Sequence, residues 1–287
     1  MEKKIGKITV DRNEASVQGD LQRYCQKALE LGATNAKIVA VEDIPVDERI
    51  TLKCQIPRCF GYGAGAQCPP NTLKPAELRE ILKGFRWAVF FIKDVPPEVI
   101  IRDKATIKER VVAYQDLYKM VNEVESMAFY DGHYLAFGFA AGSCRHTFCG
   151  KMETCQAMEG KKCRFSLLSR PSMEAVGIDV YHMVAKAGWD IFPIGSSAKA
   201  ENVPKGTLAG IVIVQWILPN VQDDDTVKVW IGFMGLGIMG QAMAANIAKG
   251  GEGRFQIRRF SFLLNRLWDG LKDKFVFQSQ VFLWIWD

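Results

Sequence analysis

Several features are scarce in this sequence, and each scarcity excludes something. Only three histidines and a net charge of +5 are found in 287 residues. The positive charges are scattered rather than massed on one face, so nucleic-acid binding is not expected. The longest apolar run, Leu208 to Leu218, contains Gln215 and ends at Pro219. That falls short of the roughly 20 residues a helix needs to cross a bilayer, so no membrane span is expected. The opening Met-Glu-Lys-Lys-Ile-Gly-Lys leads into polar sequence without the apolar stretch of a secretory signal. A cytoplasmic protein is therefore expected.

Cysteine is plentiful by comparison, with eight residues. In a chain that shows no export signal, reducing conditions disfavour structural disulfides, and clustered thiols more often hold metal or do redox work.

The apolar pattern predicts the main elements. Leu21, Cys25, Ala28, Leu29 and Leu31 mark a helix over 16–32 that stops at Gly32. Strands are expected over 36–41 and 87–92, with a further short one over 49–52. A proline-initiated helix is expected over 75–84. Ile107, Val111, Tyr114, Leu117, Tyr118, Val121 and Val124 predict a long helix over 105–130. A strand near 134–139, a helix opening at Pro171 and Ser172 and running to about Ala187, and a strongly β-prone strand over 207–215 complete the reading. Helices alternating with buried strands predict an α/β fold with a mixed sheet and flanking helices. The composition changes at Pro219 to Asp225, which places a domain boundary between 1–218 and 226–287.

The cysteines fall into two sets. The first is Cys54-x4-Cys59-x8-Cys68-Pro69-Pro70, and the second is Cys144-x4-Cys149-x5-Cys155-x7-Cys163. Thiolates are soft ligands that select zinc, copper(I) or iron–sulfur clusters. Zinc ribbons usually use Cys-x2-Cys pairs, whereas no pair here is closer than x4. The wide spacings and the Cys68-Pro69 step favour an iron–sulfur cluster over zinc, which stays as the alternative. Arg145, Lys151, Lys161, Lys162, Arg164 and Arg170 outnumber Glu153 and Glu159 around the second set and would favour deprotonated sulfur. Gly61, Gly63 and Gly65, with Tyr62, are expected to let the backbone wrap closely around the first set. Cys25 belongs to neither set and reads as a buried thiol on a helix face. His146 reads as a neighbour of the ligands rather than a ligand, and no role falls to His133 or His182.

Cys54 to Pro70, then Gly142-Ser-Cys-Arg with three further cysteines, then Arg170-Pro-Ser-Met-Glu-Ala-Val-Gly-Ile-Asp-Val180, together resemble a family of predicted metal-binding proteins. The family is otherwise described only as a domain of unknown function, and the resemblance runs over about residues 5–216. It implies metal binding by Cys54, Cys59, Cys68, Cys144, Cys149, Cys155 and Cys163, in a cytosolic protein, without naming a reaction. Arg170, Ser172, Glu174 and Asp179 match the family's polar positions. Their expected roles are structural, with Ser172 capping its helix and Glu174 near the positive helix end.

The last part of the chain carries a different signal. Val227 to Met234 reads as a strand leading into Gly235-Leu-Gly237-Ile-Met-Gly240 and a helix. Glycines at this spacing permit a tight turn and the approach of a pyrophosphate to a helix N-terminus. Gly232 to Asn246 resembles the NAD(P)-binding opening of β-hydroxyacid dehydrogenases, relatives of 6-phosphogluconate dehydrogenase. Only 36 residues follow Gly251, too few for the rest of a dinucleotide-binding sheet. A partial Rossmann βα unit is expected, a truncated or shifted piece of a fused or neighbouring dehydrogenase, with weak NAD(P) binding at most. Taken together, the sequence predicts a metal-binding protein, iron–sulfur in kind, serving in electron transfer with a redox partner protein or as an accessory to a metalloenzyme. A zinc-stabilised interaction module and an NAD(P)-dependent hydroxyacid oxidoreductase are the alternatives.

Overall fold

The computed structural model describes residues 5–9, 12–101, 105–195 and 197–216. Gly235, Gly237, Gly240 and the βα unit expected around them lie outside these residues. The chain starts with α1 (Glu14–Glu30), which Asn13 caps by accepting the Ser16 N–H at 2.7 Å. Gly32, at φ +101°, stops the helix. β1 (Asn35–Ala40) follows, then α2 (Glu48–Gln55), α3 (Pro75–Leu82), β2 (Phe85–Val95) and the short α4 (Pro97–Ile100). The long α5 (Ile107–Tyr130), β3 (Phe137–Phe139), α6 (Cys144–Phe148), α7 (Val180–Lys186) and β4 (Gly206–Trp216) complete the described elements.

The four strands form one sheet in the order β1-β2-β4-β3. The central pair, β2 and β4, is covered on both faces, and so both read as continuous apolar runs. In register, Val89 lies opposite Val212 and Phe90 opposite Ile211. Alternate residues then serve different layers. Val89, Phe91, Leu208, Val212 and Val214 pack with Val17, Leu21 and Tyr24 of α1 and Leu117, Tyr118 and Val121 of α5. Ala88, Phe90, Ile92, Ala209, Ile211 and Ile213 pack with Leu78 and Leu82 of α3 and Met183 and Val184 of α7. Phe90, Phe91 and Ile92 are fully buried, each burial worth about 1.5–3 kcal/mol.

The structure corrects four expectations. The sheet is antiparallel at every pairing rather than mixed. β2 and β3, joined through α5, do run in the same direction, but β4 inserts between them antiparallel to both. Alternation of helices and strands fixes neither the direction nor the neighbours of a strand: β1 and β2, with α2 and α3 between them, pair antiparallel. Residues 49–52 are helical, inside α2. Asp47 caps that helix by accepting the Arg49 N–H at 2.7 Å, and a four-residue window carries no usable periodicity. The helix expected from Pro171 to Ala187 is broken. Ser172 caps only a 3-10 turn over Glu174–Val176, Gly177 turns the chain at φ +92°, and Asp179 caps α7 separately through the His182 N–H. β3 is shorter than expected because residues 134–136 remain outside the sheet. Among the described residues no helix is long and apolar enough to cross a membrane.

Candidate metal centre

The first cysteine segment begins in α2, whose last turn carries Cys54, and continues as a succession of tight turns. The Cys59 N–H donates to the Cys54 carbonyl at 2.9 Å, Tyr62 N–H to the Cys59 carbonyl at 3.0 Å, and Asn71 N–H to the Cys68 carbonyl at 2.9 Å. The Gly61 N–H points at the Cys59 sulfur, 3.4 Å away. These bonds coil the segment on itself, so its shape rests on backbone pairing rather than on an apolar core.

The second segment leaves β3 through Gly142 and enters α6 at Ser143, whose carbonyl accepts the His146 and Thr147 N–H groups at 3.1 and 3.0 Å. Cys144 opens this helix and is buried, while Cys149 closes it. Phe148 anchors the segment from below, stacking on Phe165 at 5.2 Å and meeting the Tyr118 ring edge-on at 5.1 Å. Cys155 precedes a 3-10 turn over Gln156–Glu159, and Cys163 lies in the loop beyond it. Arg170 ends the segment in a two-pronged pair with Glu125 of α5, at 2.8 and 2.6 Å.

The fold brings the two segments together. The Cys68 thiol donates to the Ser143 hydroxyl across 3.4 Å, and the His146 ring nitrogen Nδ1 lies 3.2 Å from that same hydroxyl. A methyl on Gly61 would stand 3.4 Å from the Cys68 sulfur and 3.5 Å from Ser143. One on Gly65 would press on the Arg145 side chain at 3.1 Å. The distances at Gly61 are ordinary van der Waals contact, so only at Gly65 does the close approach of the segments require the neighbour to give. An open cleft of about 380 Å³ runs along the seam, lined by Gly63, Ala64, Arg145, His146 and Cys155 among others.

The thiols differ in how readily they would ionise. Burial pushes Cys54 and Cys144 up to about 11, each further opposed by neighbouring cysteines; a hydroxyl bond from Ser169 to the Cys144 sulfur at 3.3 Å partly offsets this. Burial also raises Cys68, and raises Cys149 despite the pull of Arg145 and Arg164. Cys155 goes the other way. Burial opposes its ionisation, but backbone N–H groups of Ala66, Met158 and Ala157, with Arg145 nearby, bring the thiol below its ordinary value. Ala66 belongs to the first segment, so this sulfur is held by both.

Arg145 is committed elsewhere as well, donating to the Cys149, Met152 and Glu153 carbonyls and so bracing the turn between Cys149 and Cys155. Among the described residues no three Cys, His, Asp or Glu side chains stand close enough to close around a metal ion. Zinc–sulfur bonds are about 2.3 Å long, so ligation would draw these loops inward. Cys25 stands apart on α1, partly buried against the core beneath the sheet, and burial lifts its thiol to about 11. His146 packs edge-on against Phe60 at 4.4 Å and faces Ser143. Sequence reasoning did not single out Ser143, Ser169 or Glu125, and read Tyr118 only as a core position. Ser143 could have been noticed for its place beside Cys144; nothing in the sequence marks the other three.

An antiparallel sheet covered by helices, with two cysteine segments meeting at one end, defines a cysteine-rich α/β protein whose soft-donor set suits a metal. Residues 37–213, well over half the chain, match the family described as predicted metal-binding protein (DUF2284), and the chain belongs to that family. No curated protein and no solved structure matches the chain.

Proposed function

We propose that Cys54, Cys59, Cys68, Cys144, Cys149, Cys155 and Cys163 supply a metal–thiolate centre, iron–sulfur in kind, used in electron transfer or in support of a metalloenzyme. The observation that carries this reading is the meeting of both cysteine segments at Cys68–Ser143 and around Cys155. The donor set fits such a group: seven soft sulfurs, hydroxyls of Ser143 and Ser169 against two of them, and a buried Tyr118 hydroxyl without a partner. A bound iron–sulfur cluster would supply one-electron chemistry. The chain's own part is to hold the sulfurs, to exclude water from Cys68 and Cys144, and to favour the thiolate at Cys155 through backbone N–H groups. Exposed Lys151, Lys161, Lys162 and Arg164 beside the second segment would suit a redox partner with an acidic face.

The test is anaerobic purification of the full chain, with iron, sulfide and zinc analysis and a visible spectrum. Brown protein with matched iron and sulfide, lost in Cys144→Ser but retained in Cys25→Ser, is the expected result. Colourless protein with stoichiometric zinc would replace the cluster with a structural thiolate site. A chain that holds no metal would overturn the reading.

A further inference from the structure

Tyr118 sits in the middle of α5 with no exposed surface, and its hydroxyl is the one buried side-chain polar atom among the described residues that has no hydrogen-bond partner. Leaving a buried hydroxyl unpaired is destabilising, and native proteins rarely do so without a reason. Phenylalanine would fill the same space without that penalty, so packing alone gives no reason for the oxygen.

Its surroundings supply one. Tyr118 and Cys144 belong to the same buried cluster, and Phe148, the last residue of the Cys144 helix, lies edge-on against the Tyr118 ring. Burial above all, and then the charges of Cys144, Cys68, Tyr114 and Glu174, hold the pKa of its hydroxyl well above the ordinary tyrosine value. One sulfur from each cysteine segment is thus represented. Both already have a hydroxyl neighbour, Ser169 for Cys144 and Ser143 for Cys68. Tyr118 adds a third hydroxyl on the side of the core, with nothing yet to donate to.

We propose that Tyr118 is a positioning residue for the metal–thiolate centre, its hydroxyl donating a hydrogen bond to the Cys144 sulfur when that sulfur is a thiolate ligand. The inference rests on the proposed function and adds to it a buried donor contributed by a helix that carries no cysteine. A thiol sulfur is a weak acceptor, whereas a thiolate accepts strongly and tolerates several donors. Donation withdraws charge from the ligand and so raises the reduction potential of an attached cluster and slows loss of metal.

The experiment compares the full-length wild type with Tyr118→Phe, metal-free and metal-loaded. Metal-free Tyr118→Phe is expected to melt at the wild-type temperature or above it. Loaded Tyr118→Phe should release metal to a chelator about tenfold faster, with a lower reduction potential where the metal is iron. Release rate and potential unchanged from wild type would overturn the proposal and leave the proposed function standing. Equal destabilisation with and without metal would also overturn it, because the hydroxyl would then be structural. A wild-type chain that takes up no metal would overturn both.

Discussion

Replacing Arg170 by Met tests how the second cysteine segment is tied to the rest of the fold. Arg170 meets Glu125 through two bonds, Nε to Oε2 at 2.8 Å and Nη2 to Oε1 at 2.6 Å, and its Nη1 donates to the Ser169 carbonyl at 2.9 Å. The two side chains are 17% and 18% exposed. Breaking a buried pair by removing one partner costs about 3–5 kcal/mol, and an exposed pair contributes about 0–1 kcal/mol. This pair lies between those limits, so Arg170→Met should cost about 2 kcal/mol, or roughly 4–8 °C in the melting midpoint. Most of that cost is the carboxylate left without its partner. Arg170→Met/Glu125→Leu should therefore recover at least half of the loss in thermal or urea denaturation. The neighbouring Ser169 hydroxyl bonds to the Cys144 sulfur, so the single variant should also release metal faster than wild type. A loss under about 0.5 kcal/mol, or a double variant no more stable than the single, would refute the argument.

Two further predictions concern a backbone position and a buried histidine. Gly142 holds φ +69°, and a methyl there would stand 2.6 Å from Cε1 of Tyr114. Gly142→Ala should cost at least about 2 kcal/mol, the left-handed backbone alone accounting for 1–2, and urea midpoints within error of wild type would contradict it. His133 is 1% exposed; burial lowers its pKa from the ordinary 6.5, with Arg12 also acting to lower it and Asp20 to raise it. The unfolded chain therefore takes up a proton near 6.5 that the folded chain refuses, and stability should fall as pH drops below that value. Melting midpoints followed downward from about pH 8 should show this decline in wild type and a flatter profile in His133→Gln. A wild-type profile that stays level through that window would show the reasoning to be wrong.

The sequence by itself determined the parts of this protein whose signal is periodic or compositional. α1 and α5 were legible because apolar residues recur at helical spacing over several turns, and β2 and β4 because strands buried on both faces are apolar without interruption. α2 is not legible because its cap, Asp47, lies outside the short β-prone run of residues 49–52, and Gly177 breaks the helix that the pattern carries through to Ala187. The two cysteine sets could be read from residue spacing, while the metal-binding family entered through the resemblance of whole motifs and is shown by the match over residues 37–213. The order β1-β2-β4-β3 could not, because which strand inserts between which depends on how helix faces pack and not on any local preference. Only the tertiary structure decided that Cys68 meets Ser143, that Ala66 reaches the Cys155 sulfur, and that the Tyr118 hydroxyl is buried without a partner. Contacts between segments so far apart in the chain are made by the packed sheet and α5, and their energies exist only once that core has formed.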